Sequence, residues 1–337
     1  MSNVLTGILL VLAGGAMQGS FGVPQKYVKG WSWEKNWLFY SIAGMIVCPW
    51  LLVAALIPDP CGVYASVPVN VLLRTALFGM GWGVGAVFFG LGMVHLGIAL
   101  AFAIIISLVA AVGTLVPMLV LHPEQMGTPK GMFVMAGLAI VVVGVALCAR
   151  AGSLKDATAT EGAGKSKKFV TGLLICIASG VMSSMMNFSY AFGDPISAEA
   201  ARRGADPGNA TIAIFAVATT AGFLVNAAYC IYLLMKNRSW RGTVPSANVL
   251  NFVYSVAMGA LWLGGFFLYG LGATSLGELG PVLGWPIFMT VMVLVANAWG
   301  LISGEWKGAS ARALGYLGAG TGIMIVAMIV ISMAARV

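Results

Sequence analysis

The sequence predicts an all-α membrane protein of about ten transmembrane helices, built as two inverted five-helix repeats. Three observations predict it. Charge-free apolar runs recur at spanning length, basic residues gather in alternate loops, and the second half repeats spacings of the first.

Of the 337 residues, 60% are apolar and only 8% are charged. A soluble domain carries roughly a quarter charged residues. So few charges cannot cover an aqueous surface of this size, so lipid is the expected solvent for much of it. The net charge of +8 does not indicate nucleic acid, because the basic residues sit in short loops between apolar runs. The five cysteines, Cys48, Cys61, Cys148, Cys176 and Cys230, have neither metal nor redox spacing. His95 and His122 are too few for a metal cluster. No metal and no cofactor is expected.

A spanning helix needs about 20 mostly apolar residues. Residues 1–25, 36–58, 75–123, 131–149, 169–193, 207–235, 242–277, 279–304 and 313–335 contain no Asp, Glu, Lys or Arg. The third run holds two spans, with the turn expected at Gly92 to Gly97 around His95. Residues 1–25 lack a basic leader region, since no Lys or Arg precedes Lys26. They read as a retained first span and not as a cleaved signal. Open sheets cannot satisfy their backbone in lipid, so the spans are expected to be helices. Ala151 to Lys168 is the one long hydrophilic linker, and it divides residues 1–150 from residues 169–337.

Thirteen of the 18 lysines and arginines fall in the loops after odd-numbered spans. The positive-inside rule puts those loops in the cytoplasm and both termini in the periplasm of a bacterial inner membrane.

The halves resemble each other. An offset of 180 pairs Trp82 with Trp262, Gly85 with Gly265, Gly90-Leu91-Gly92 with Gly270-Leu271-Gly272, and Leu96 with Leu276. An offset of 165 pairs Gly7 with Gly172, Gly15 with Gly180 and Met17 with Met182. Duplication of an odd number of spans inverts the second copy. Inverted repeats serve alternating access, with the solute site where the halves meet. Small residues at Gly15/Gly19, Gly79/Gly83, Gly81/Gly85, Gly300/Gly304 and Gly318/Gly322 let helices approach closely. Packing within one subunit is the first reading of these pairs and a homodimer face the second.

Gly22-Val-Pro-Gln-Lys-Tyr-Val-Lys-Gly-Trp-Ser-Trp-Glu34, Cys48-Pro49-Trp50, Phe78-Gly-Met-Gly-Trp-Gly-Val-Gly85 and Glu305-Trp306 together resemble the L-rhamnose–proton symporter family, within the drug/metabolite transporter superfamily. The resemblance runs the whole length. It implies import of a small sugar, L-rhamnose or a related deoxyhexose, driven by a proton. The alternative is a transporter or facilitator of another small metabolite in the same superfamily. No enzymatic constellation of nucleophile and base is present.

Candidate site residues follow from where polar groups interrupt apolar runs. Glu278 is the proton-coupling candidate, because a carboxylate near a bilayer is expensive and functional by default. Gln18 and Asn187 lie within repeat-related spans, as do Trp82 and Trp262. With Trp285 they are the substrate-binding candidates, offering hydrogen bonds and flat apolar faces to a sugar. Tyr190 and Asn226 are secondary. Asn226 and Asn297 read equally as interhelical hydrogen bonds. Lys26, Lys29 and Glu34 are gate or anchor candidates, with Glu34 pairing with a lysine in the gate reading.

Overall fold

The computed structural model of the protein describes residues 2–121, 123–159, 163–240, 245–276 and 284–333. Among them there is no strand. The first helix, α1 (Ser2–Ser20), leads through a 3-10 turn, Pro24–Tyr27, into α2 (Trp33–Ser41). A π-helical segment, Ile42–Val47, joins α2 to α3 (Cys48–Leu56), so these three form one rod. Pro49 lacks the N–H that the Met45 carbonyl would take, and the turn before it widens, with Cys48 N bonding to Ala43 O. A short α4 (Pro60–Ser66) then precedes α5 (Val69–Leu96), α6 (Ile98–Leu121) and α7 (Pro129–Ala159). The second half holds α8 (Ala163–Ser183), α9 (Met185–Arg202), α10 (Pro207–Lys236), α11 (Pro245–Ser275), α12 (Trp285–Ile302) and α13 (Ala311–Met333).

Among the described residues, eight segments are long and apolar enough to cross a membrane, and two further apolar stretches, Ile98–Val109 and Ile287–Ile302, are shorter. One candidate span, Lys168–Arg202, takes in both α8 and α9. Large apolar side chains face outward, Leu51 at 62%, Leu73 at 64% and Val249 at 75% exposure. In water such a surface would aggregate. In lipid it is the expected exterior.

The turn expected around His95 falls at Gly97, whose φ of +82° suits glycine. Residues 151–159 continue α7 and residues 163–168 open α8, so both ends of the hydrophilic stretch are helical. Its alanines and lysines are strong helix formers, which polarity alone does not reveal.

Between apolar helices in lipid there is little hydrophobic drive, so close contact rests on small residues. Gly7 lies against Leu276, a built Cβ meeting its Cγ at 2.9 Å, and Gly172 lies against Leu96, at 2.8 Å from Cδ2. Gly44 meets Gly259 and Trp262, whereas Gly222 meets Gly79 and Trp82. Gly265 makes room for Gln18, and Gly85 makes room for Ser183. Positions separated by 165 to 180 in sequence thus meet correspondingly separated neighbours.

Two ends of the bundle are distinct. At one, here called the basic face, Lys155 Nζ lies 4.9 Å above the Trp306 ring and Trp31 Nε1 donates to Asn248 Oδ1 at 2.8 Å. At the other, a smaller apolar core of Val53, Ile57, Val63, Ile196 and Ala213 lies beneath α4. Arg203 fastens that end, donating to Asp59, Ser66 and Glu199. The Glu199 carboxylate, with Asp59 beside it, holds the Arg203 guanidinium above its usual value.

Candidate functional site: a central aromatic cavity

A cavity of about 880 Å³ runs between the two halves of the chain. Its volume fits a monosaccharide with water. Gln18, Trp82, Asn187 and Trp262 all line it, so four of the five sequence-derived binding candidates share one wall system. Backbone geometry places Trp285 at the start of α12. Glu278 lies outside the described residues.

Trp82 stands midway along α5, and Trp262 in the middle of α11. Their indoles stack on each other at 5.6 Å and 29°. Phe215 extends the column, stacking on Trp262 at 5.7 Å and 29°. The two indoles are therefore neighbours in contact and form one column in the cavity wall. Gln18 is 2% exposed, and its Nε2 donates to Trp262 O at 2.7 Å. Asn187 is exposed on the cavity wall, one helical turn beyond Ser183 and beside Tyr190, another lining residue.

Toward the basic face the cavity ends on Phe21, Trp37, Tyr40 and Phe89. Phe21 is the hub, with ring centroids 5.7 Å from Tyr40, 5.7 Å from Phe89 and 5.6 Å from Phe102. Trp37 is fixed by Asn226, whose Oδ1 accepts from Trp37 Nε1 at 2.9 Å and whose Nδ2 donates to Gly83 O at 3.0 Å. Asn226 thus joins α2, α5 and α10 and does not itself line the cavity. Asn297 is likewise interhelical, donating to Thr321 Oγ1 at 3.1 Å. Toward the other face the lining continues to Asp206, Asn209, Thr274 and Ser275, at the first turn of α10 and the last of α11. Asp206 caps α10, accepting from Gly208 N at 2.8 Å.

Beyond the aromatic cluster the basic face is tied by charge. Lys26 Nζ sits 2.5 Å from Glu305 Oε1 and also donates to Ser303 Oγ. Glu305 accepts in addition from Ile98 N at 2.9 Å and Ala99 N at 3.2 Å, capping α6. Anions are favoured at such a helix start. Gly97 permits the approach, since a Cβ there would lie 2.7 Å from Glu305 Oε2.

Among the described residues, the hydrogen-bond partners of the Glu34 carboxylate are not lysines. Glu34 is 5% exposed, and its Oε1 accepts from Ser239 Oγ at 2.6 Å and Asn237 Nδ2 at 3.2 Å. A buried carboxylate at the start of α2 is satisfied by the polar turn that ends α10, whereas Lys26 is drawn to Glu305 across the bundle. Lys29 acts through its backbone, which exchanges two hydrogen bonds with Asn251, at 3.0 and 2.7 Å.

Sequence reasoning missed Glu305 and Ser183 as site residues. Ser183 was within reach, because the offset of 165 that pairs Gly15 with Gly180 pairs Gln18 with Ser183. Glu305 gave no such signal, since its partners come from residues 26 and 98–99.

The sequence pattern of the L-rhamnose-proton symport protein (RhaT) family matches residues 1–335. L-rhamnose-proton symporters are similar along the full chain. That of Citrobacter koseri is 31% identical over 99% of both chains. That of Cronobacter sakazakii is 33% identical, and that of Klebsiella pneumoniae 32%, each over 97% of both chains. No solved structure matches the chain. This chain belongs to the L-rhamnose-proton symport protein family.

Proposed function

We propose that this chain is a transporter, not an enzyme, that imports L-rhamnose or a close 6-deoxyhexose relative together with a proton across a bacterial inner membrane. The single observation that carries the reading is the full-length similarity to L-rhamnose-proton symporters, joined to a cavity of monosaccharide size between the halves. The drug/metabolite transporter superfamily is its natural placement.

Ten spans in two inverted five-helix repeats are the architecture we infer, divided near residues 151–168. The paired contacts support it. Gly7 on Leu276 matches Gly172 on Leu96, and Gly44 on Trp262 matches Gly222 on Trp82. A pseudo-twofold axis then passes near the Trp82–Trp262 stack, where the solute site of an inverted repeat belongs. With the basic face cytoplasmic, both termini are periplasmic and the cavity opens outward. Phe21 with Tyr40 and Phe89, and behind them Lys26 with Glu305, form the closed inner gate. Lys29 and Glu34 are anchors of that gate.

Glu278 remains the proposed proton carrier. At 100 mV the membrane potential supplies about 2.3 kcal/mol per charge, which at about 1.4 kcal/mol per decade supports roughly fiftyfold accumulation. Purified protein in proteoliposomes tests this. L-rhamnose accumulates above equilibrium under an imposed inward proton gradient and the accumulation collapses with a protonophore. Absence of L-rhamnose uptake under any gradient overturns the proposal. A Glu278→Gln variant equilibrates the sugar without concentrating it, and unchanged accumulation removes Glu278 from the mechanism.

One observation favours a second reading. Among the described residues that line the cavity, the one carboxylate is Asp206, at the mouth. A facilitator without coupling needs none. Gradient-independent counterflow with no accumulation would identify it.

A further inference from the structure

Gln18 combines features that a merely structural glutamine does not need. It is 2% exposed and yet lines the cavity. Its Nε2 donates to the Trp262 carbonyl at 2.7 Å. That partner fixes the amide orientation, because a carbonyl oxygen accepts and so demands the nitrogen. The amide oxygen then has no hydrogen-bond partner among the described residues. Space for the side chain comes from Gly265, where a Cβ would lie 2.6 Å from Gln18 Cγ. At the corresponding place in the other half, Ser183 lies against Gly85, and Ser183 also lines the cavity. A serine reaches less far into the cavity and its hydroxyl rotates freely. The two halves therefore offer unequal polar groups on either side of the Trp82–Trp262 stack.

We infer that Gln18 is a specificity-determining residue: its Oε1 is a fixed acceptor for one hydroxyl of the solute, held beside the apolar face of the tryptophan column. The inference rests on the sugar-transport reading above. A fixed acceptor selects a donor. A sugar hydroxyl donates, whereas a solute bearing hydrogen or an ether oxygen at that position leaves a buried amide oxygen without a partner. Such a loss discriminates more sharply than a change of apolar contact. The arrangement also orients the ring, because the hydroxyl that reaches Gln18 and the apolar patch that covers the indoles must belong to one face of the sugar.

Binding of L-rhamnose and of its 2-, 3- and 4-deoxy derivatives to detergent-purified full-length protein tests this. Wild-type protein binds one of the three about fivefold more weakly than L-rhamnose because of Gln18. In Gln18→Met, of similar length and without the amide, that derivative and L-rhamnose bind equally and the ratios for the other two do not change. A uniform loss for all four sugars overturns the inference, for it shows that Gln18 only holds α11 in place. Should the Met variant fail to fold, Gln18→Asn decides. It keeps an amide but withdraws it by one methylene, so the penalty for the same single derivative falls while the other two ratios hold, and equal changes for all sugars again overturn the proposal. Failure of wild-type protein to bind L-rhamnose at all is a different result, and it removes the transport reading itself.

Discussion

Lys26 and Glu305, separated by almost the whole chain, meet as an ion pair of 2.5 Å on the basic face. The pair ties the turn after α1 to the turn after α12. Glu305 also caps α6 through Ile98 N and Ala99 N, so one carboxylate binds three separate segments. Lys26 is 29% exposed and Glu305 11%. The ion pair itself is worth about 0.5–1 kcal/mol, and the lost cap adds about 1 kcal/mol.

Removing the carboxylate should therefore loosen the proposed inner gate without unfolding the protein. Glu305→Ala is expected to raise the hydrogen-exchange rate of the Ile98 and Ala99 amides at least fivefold, while amides at the far end of α5 keep their protection. Lys26→Met, which leaves the cap, should raise them less. Equal protection in wild type and Glu305→Ala would contradict the gate assignment.

A second prediction compares corresponding glycines. A Cβ on Gly222 would lie 2.7 Å from Trp82 Cε3, whereas on Gly44 the nearest atom is Gly259 Cα at 3.1 Å and Trp262 Cε3 is at 3.4 Å. Overpacking of a dense interface costs about 1–3 kcal/mol. Gly222→Ala should stand at the upper part of that range and displace the Trp82 indole, lowering both the melting temperature and the affinity for sugar. Gly44→Ala should cost less and leave affinity close to wild type. Melting of both variants in the same detergent gives the ordering, and a larger loss for Gly44→Ala would show that the two contacts are not equivalent.

Orientation has its own test. Cys61 is exposed at the end opposite the basic face, whereas Cys148, Cys176 and Cys230 are buried. A membrane-impermeant maleimide added to intact cells, with the outer membrane made permeable, should label Cys61 and lose that label in Cys61→Ser. Labelling only after the inner membrane is opened would invert the topology.

The helices were legible because lipid imposes length and charge limits that composition reports directly. The placing of Gln18, Trp82 and Trp262 on one cavity was foreshadowed by two offsets, 165 and 180, at which residues of the two halves correspond in the sequence. Contacts between segments that neither offset relates were hidden. Nothing near Lys26 points to residue 305, and nothing near Glu34 points to Asn237 and Ser239. Opposite charges within a short motif suggested a local pair. Tertiary approach of helix ends supplied other partners. The helical ends of the stretch from 151 to 168 were obscured for a related reason, since polarity marks exposure to water and not the loss of helix.

Glu34 gives the last prediction, and it separates a charge from a hydrogen-bond acceptor. Its Oε1 receives hydrogen bonds from Ser239 Oγ and Asn237 Nδ2, joining the start of α2 to the end of α10. Gln at this position still presents an acceptor oxygen, so Glu34→Gln should change stability by less than about 1 kcal/mol and leave transport nearly intact. Leu removes both hydrogen bonds, from half-buried Ser239 and exposed Asn237, at a cost of about 0.5–1.5 kcal/mol each. Glu34→Leu should therefore lower the melting temperature clearly and transport with it. If Gln were as harmful as Leu, the negative charge itself would matter, and a cation would have to approach Glu34 at some stage of the transport cycle.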